Sequence, residues 1–359
     1  MRVSDGGRFM AHGMILSTVL LLACSTPYVA PPEPSWMGLE EEAEAGNPTG
    51  DTAEGAGDGA DTSDTAAALD SADTDEEETP ADAFTPPCVT YGTTLQTGTV
   101  GDASLNEISG VAASWRNPGA LWVMEDHAGP NEVHAIDAAG NVVARLVLEG
   151  VDNNDWEDLA VGVCGETTCL FVGDIGDNDH DRPWHGVLRL EEPDLSGEGV
   201  EDLTITPDIF PYVFPDAGTW DSEALAIQPN GLPVLFTKEY DTEASTAYSF
   251  PSLDAAQTVT LDERGRFETG SAGEGGGAAT TAADLWPDGT RLILRTYAHI
   301  WEFTLTDGGL DDLEDAARVE LYTGAERQGE AIGYDPYARA YYTLSEDVNP
   351  PVFRTDCSE

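Results

Sequence analysis

Five times between residues 107 and 333 the chain runs from a short polar triplet into an apolar strand and then a turn. The phrases are Glu107-Ile108-Ser109-Gly110-Val111-Ala112, Asp155-Trp156-Glu157-Asp158-Leu159-Ala160 and Asp221-Ser222-Glu223-Ala224-Leu225-Ala226, then Thr281-Ala282-Ala283-Asp284-Leu285-Trp286 and Gln328-Gly329-Glu330-Ala331-Ile332-Gly333. Counted at the third residue of each, the periods are about 48, 66, 60 and 47 residues. Repeats of that length mark propellers or solenoids, in which each unit buries its apolar face against the next. If the units close into a ring, the acidic residues at equivalent positions gather at one place.

After each phrase comes a second short strand: Ala120–Met124, Cys169–Val172, Leu232–Thr237, Arg291–Arg295 and Ala340–Leu344. Asn230-Gly231 and Pro287-Asp288-Gly289 are turn signals between the paired strands. Further alternating segments follow, among them Glu132–Ile136 and Ile300–Thr304, and no segment after residue 88 keeps a 3.6-residue period. The expected class is therefore all-β. Three or four strands per repeat and five repeats predict a β-propeller of five blades. Six blades is the alternative, with the extra one in 196–214 or 251–276. A β-sandwich would leave the repeated phrase unexplained.

Three regions are expected: a leader over 1–23, a tethered acidic stalk over 24–87, and the propeller over 88–359. Met14–Leu22 is apolar but too short to span a bilayer, so it reads as an export signal. It ends on Leu21-Leu22-Ala23-Cys24, which resembles the lipobox of bacterial lipoproteins, in which the cysteine is lipidated. Several acyl chains on Cys24 would anchor the chain firmly to a membrane. By analogy with lipoprotein sorting, Ser25 in place of an Asp favours the outer membrane. From Ser25 to Pro87 there are 17 acidic residues and no Lys or Arg. Such a segment cannot bury enough apolar surface to order itself, and its self-repulsion extends it.

The whole chain carries −53. Setting aside the 17 acidic residues of the stalk and a leader of about +1 leaves −37 for residues 88–359, where Lys238 is the sole lysine. Such a surface repels phosphate backbones, which excludes nucleic acid as a partner. It suits divalent cations, cationic partners, or solubility in salt. A monomer is expected.

Besides Cys24 there are four cysteines, an even number that suits an exported domain with two disulfides. Three pairings are open. Cys164 and Cys169 flank a four-residue turn and are well placed to bridge it. Cys88 and Cys357 sit at the two extremes of the folded region, and ring closure would bring them together. No CxxC or CxxH arrangement argues for zinc.

Residues two apart share a face of a strand, so two rings are expected at the channel mouth. One holds Glu107, Asp155, Asp221, Thr281 and Gln328; the other holds Ser109, Glu157, Glu223, Ala283 and Glu330. A further set closes the following strands: Glu125, Asp126, Asp174, Lys238, Glu239, Arg295, Glu346 and Asp347. Converging carboxylates raise one another's pKa unless a cation neutralises them. An all-oxygen donor set favours calcium or magnesium over zinc. The expected ligands are Glu157, Glu223 and Glu330, with Asp155, Asp221, Glu107 and Asp174 beside or behind them, and Lys238 and Arg295 as balancing charges. The alternative is structural, with the acids accepting backbone N–H groups at blade junctions.

Taken together, Asn106–Gly110, Asp155–Asp158, Gly173–Asn178, Asp221–Leu225, Arg295-Thr296-Tyr297 and Gln328–Ala331 resemble the SdiA-regulated family and the related phytase-like, esterase-like exported propellers, over roughly residues 98–350. The resemblance implies five or six blades and calcium. The fourth phrase departs from it by lacking a carboxylate in either ring position.

No G-x-S-x-G elbow supports a serine hydrolase. His127, after Glu125-Asp126, is the candidate for proton transfer. Three functions are weighed: a tethered propeller binding a cation and a protein or small-molecule ligand, a metal-dependent phosphoesterase or esterase, and a structural envelope protein.

Overall fold

Apolar runs of five or six residues with no polar face must be covered on both sides. A ring of sheets packed face to face supplies that cover. A computed structural model describes residues 84–358 apart from 127–128, 198, 216–217, 241, 271–276, 307–308, 324–325 and 327. The leader, Cys24, the acidic stretch to residue 83, and His127 lie outside the described residues.

The described chain forms five sheets, antiparallel apart from one outermost strand in each of two, with the acidic-phrase strand innermost in each. Sheet one runs outward from β2 (Ile108–Ala113) through β3 (Ala120–Glu125), β4 (Glu132–Asp137) and β5 (Val142–Leu148). Sheet two has β6 (Trp156–Cys164), β7 (Thr167–Asp174), β8 (His185–Glu191) and β10 (Asp208–Val213). Sheet three has β11 (Ser222–Ile227), β12 (Pro233–Thr237), β13 (Ala244–Ser249) and β15 (Asp262–Glu268). Sheet four has β16 (Thr280–Leu285), β17 (Arg291–Thr296), β18 (Ile300–Thr304) and β19 (Ala317–Leu321). Sheet five has β20 (Gly329–Asp335), β21 (Ala340–Ser345), β22 (Pro351–Asp356) and, from the other end of the domain, β1 (Leu95–Thr99).

The innermost strands pack in the cyclic order β2, β6, β11, β16, β20 and back to β2, which closes a five-bladed propeller. Closure is made by β1 pairing antiparallel with β22, Leu95 opposite Arg354. The Cys88–Cys357 disulfide and the Tyr91–Cys357 bridge lie beside it. Cys164–Cys169 spans the β6–β7 hairpin, so both expected pairings are present. Phe84 already packs edge-on against Trp115 and Tyr337, ahead of Cys88.

There is no sixth blade among the described residues. The stretches that could have held one supply outer strands instead. β9 (Glu201–Ile205) leaves blade two to pair in parallel with β5 of blade one. β14 (Val259–Thr260) leaves blade three to pair in parallel with β10 of blade two. Each excursion covers an outer edge that would otherwise expose unpaired backbone groups.

The core is divided among the five blade interfaces. Trp122 and Trp156 meet between blades one and two, Phe171 and Leu235 between two and three, Phe236 and Leu292 between three and four. Ile293 and Tyr341 meet between four and five, and Val123 and Tyr342 between five and one. Because no blade buries its faces alone, the ring is the folding unit.

Candidate functional site at the channel mouth

All five innermost strands carry a β-bulge at the same place. The register slips between Ile108 and Gly110, Trp156 and Asp158, Ser222 and Ala224, Thr280 and Ala282, and Gly329 and Ala331. The bulged residues are Ser109, Glu157, Glu223, Thr281 and Glu330. A bulge adds one unpaired residue and re-aims its side chain. The simple two-residue alternation expected from the sequence therefore fails here, and the fourth repeat is registered two residues earlier than expected. Thr281, not Ala283, is the equivalent of Glu157, and Ala279 takes the place given to Thr281. Backbone bonds from the following strand confirm this alignment: Asp126 donates to the carbonyl of Glu107, Ile175 to Asp155, Lys238 to Asp221 and Tyr297 to Ala279.

The five bulged side chains do two jobs. The Ser109 hydroxyl donates to the carbonyl of Glu157, and the Thr281 hydroxyl donates to that of Gly329 at 3.0 Å. These two rivet neighbouring blades. Glu157, Glu223 and Glu330 present carboxylates instead, and all three are buried. Burial pushes Glu157 well above the ordinary glutamate range, and the carboxylates of Glu223, Asp126 and Asp155 push it further. Glu223 is raised chiefly by burial, against the opposing pull of Lys238. Glu330 rises to about 7, again through burial, with Gln328 and Lys238 opposing.

Each carboxylate has its own surroundings. Glu223 accepts from the Lys238 ammonium, which also lies 5.3 Å from the ring centre of Tyr297 and 5.9 Å from that of Tyr240. Burial alone would lower the pKa of Lys238, but Glu223 and Tyr297 outweigh it and hold the ammonium charged. Gln328 bridges Glu330 at 2.9 Å and Glu346 at 2.6 Å through its amide nitrogen. Asp174 is held by Arg182 and by the Asn154 amide at 2.9 Å. Asp221 accepts the Asp177 N–H at 2.8 Å. Glu107 is exposed. Arg295 pairs with Glu326 at 2.7 Å, an acid outside both expected rings. An added Cβ at Gly329 would strike its guanidinium, so the arginine packs directly over this glycine.

Of the expected ligands, Asp155 and Glu157 come together, and Asp126 joins them. One carboxylate oxygen from each lies within 4.8 Å of the others. That spacing suits oxygens sharing one hard cation. Asp126 sits just past β3 and reaches the cluster from blade one, while the other two flank Trp156 in blade two.

Two acids assigned no separate role from the sequence close the space beneath. Asp158 is fully buried and accepts the N–H groups of Leu159 at 2.8 Å, Leu225 at 2.9 Å and Ala283 at 3.2 Å. One carboxylate thus ties together the innermost strands of blades two, three and four; we call Asp158 the floor, and the carboxylates at the adjoining strand starts the cup. Burial raises its pKa, against those three donors. Asp284 likewise ties Leu285 to Tyr334. The readable signal was a polar residue inside an otherwise apolar buried strand.

The site thus sits on a five-bladed, all-β propeller with a carboxylate-lined cup at one end of its axis. No family model and no curated protein matches the chain. Solved structures do. The Malassezia sympodialis allergen Mala s 1 matches at 10% identity over 75% of this chain and 97% of that one, with a TM-score of 0.46. The apo form of the soluble aldose sugar dehydrogenase of Escherichia coli matches at 9% identity over 75% and 100%, with a TM-score of 0.42. The Cps50 (Swd1) β-propeller domain of Myceliophteria thermophila matches at 9% over 69% and 83%, with a TM-score of 0.35. Every one of these scores lies below 0.5, so no activity is carried across.

Proposed function

We propose that this is an exported propeller, lipid-anchored through Cys24, whose cup binds a divalent cation, calcium by its donor chemistry. The observation that carries the reading is the meeting of Asp126, Asp155 and Glu157 within 4.8 Å. Oxygen donors of like charge, two of them buried, are stabilised together by a hard cation, and calcium accepts irregular oxygen cages more readily than magnesium does. Glu223 and Glu330 form a second tier, the first matched to Lys238. Membership of the SdiA-regulated propellers belongs to the same proposal: the bulged positions Ser109, Glu157, Glu223 and Glu330 fall within the phrases that carry that resemblance. The anchor would hold the cup at the cell envelope at the end of its acidic stalk.

Calorimetric titration of the stalk-free domain with calcium tests the site. Saturable 1:1 binding is expected, weakened at least tenfold by Glu157→Gln, since removing one charged ligand removes a charge-assisted contact. Heat-free titration of the unsubstituted domain would contradict the proposal and favour the structural reading. Calcium-dependent turnover of a generic phosphoester or ester would add hydrolysis to it.

A further inference from the structure

Beside the proposed cation cluster, Glu330 and Glu346 offer a different chemistry, and the charges of Glu346 and Asp126 act on one another. Glu330 is 2% exposed, yet its Oε2 has no hydrogen-bond partner, while Oε1 accepts from Gln328. The same Gln328 amide nitrogen reaches Glu346, so two carboxylates are held side by side with one buried oxygen uncommitted. The Tyr297 hydroxyl feels the charges of Glu330 and Glu223, with Lys238 opposing them. Tyr240 meets Tyr297 edge-on at 6.5 Å and is 54% exposed.

The molecule already shows what this combination holds. The Lys238 ammonium sits against Glu223 with Tyr297 and Tyr240 on its flanks. Aromatic faces with a carboxylate are the setting in which alkylammonium groups are preferred to bare metal ions, because the ring quadrupole adds to the charge. Glu330 and Glu346 also feel the charge of Lys238, but its hydrogen bond goes to Glu223, and the Glu330 Oε2 is left without a partner.

We propose that the cup binds an alkylammonium ligand, with its charged nitrogen on Glu330 and Glu346 and its methylenes against Tyr297 and Tyr240. The inference rests on the cup being a binding site, and it names a ligand class for carboxylates outside the Asp126, Asp155 and Glu157 cluster. A free polyamine and a lysine side chain of a partner protein share this chemistry.

The test is calorimetry of the stalk-free domain with spermidine, with a tetralysine peptide, and separately with calcium. Saturable spermidine binding is expected, reduced at least tenfold by Glu330→Gln and about fivefold by Tyr297→Leu. Tyr297→Leu removes no charge and should leave calcium affinity within about twofold. Peptide binding with the same dependence on Tyr297, far tighter than that of spermidine, assigns the ammonium to a protein partner. Calcium binding with no spermidine or peptide binding overturns this inference and spares the cation site. Amine binding indifferent to Tyr297→Leu overturns it as well, because acidic attraction alone would then suffice. Loss of calcium binding with Tyr297-dependent amine binding intact overturns only the metal reading.

Discussion

Single residues decide whether the centre of the ring holds together. Asp158 gives Oδ2 to the N–H groups of Leu225 and Ala283 at once, from two different blades. An amide in its place would keep the shape but turn one acceptor into a donor facing buried N–H groups, and each unsatisfied buried group costs about 1–3 kcal/mol. Asp158→Asn should therefore lower unfolding stability by about 2–4 kcal/mol in urea melts, a large part of a domain's margin. A neutral result would mean that Asp158 is not the floor. Lys238 poses a different problem. Breaking a buried ion pair by removing one partner costs about 3–5 kcal/mol when the other stays charged. Glu223 has its pKa already raised by burial, so it escapes by taking up a proton. Lys238→Met is expected to destabilise the domain strongly at pH 8 and far less at pH 5. An equal loss at both would show that Glu223 does not titrate in this range.

At the scale of strands and turns, much was legible in the sequence. The five phrases, their partner strands and the closing cysteines all needed only local periodicity and spacing. The fourth phrase was not legible in register, because Thr281 and Ala279 carry no charge to align and a bulge cannot be counted from residue type. Strands β9 and β14 were hidden for another reason. They are short, their pairing is parallel and distant, and half-exposed strands such as Glu201–Ile205 have no apolar signature. Arg295 was placed on the ring by its neighbours in sequence, whereas its position in β17, opposite Ala282, turns it toward Glu326. Closure by β1 and β22 gives the two disulfides unequal weight. In the loop-entropy picture, a bridge across a sequence separation of 269 is worth about 6 kcal/mol, and one across a separation of 5 about 2 kcal/mol. Paired Cys→Ser replacement at 88 and 357 should lower the melting temperature more than the same change at 164 and 169. The reverse order would argue that the terminal strand pairing holds without its covalent link.

For the molecule as a whole, the cup sets an unusual pH dependence. Glu330 titrates near 7 in the folded state and near 4.5 as an ordinary glutamate. Between these values the folded chain holds more protons than the unfolded one, so this group's stabilisation is fully present below about 4.5 and is lost as pH rises through about 7. The loss is on the order of 3 kcal/mol from Glu330, and Glu157 and Glu223 act in the same direction. Without divalent cations, the domain is expected to melt at a lower temperature at pH 8 than at pH 5.5. Calcium should restore most of the difference, because a bound cation replaces the lost protons. Melting that rises steadily across this range without cations would mean that the cup carboxylates ionise freely.

The most direct measurement is anomalous diffraction from crystals of the domain soaked in terbium, a hard trivalent stand-in for calcium. The account predicts one dominant peak within about 2.3–2.6 Å of carboxylate oxygens from Asp126, Asp155 and Glu157, and its loss in Glu157→Gln. A dominant peak on the surface acids, or none in the cup, would contradict it.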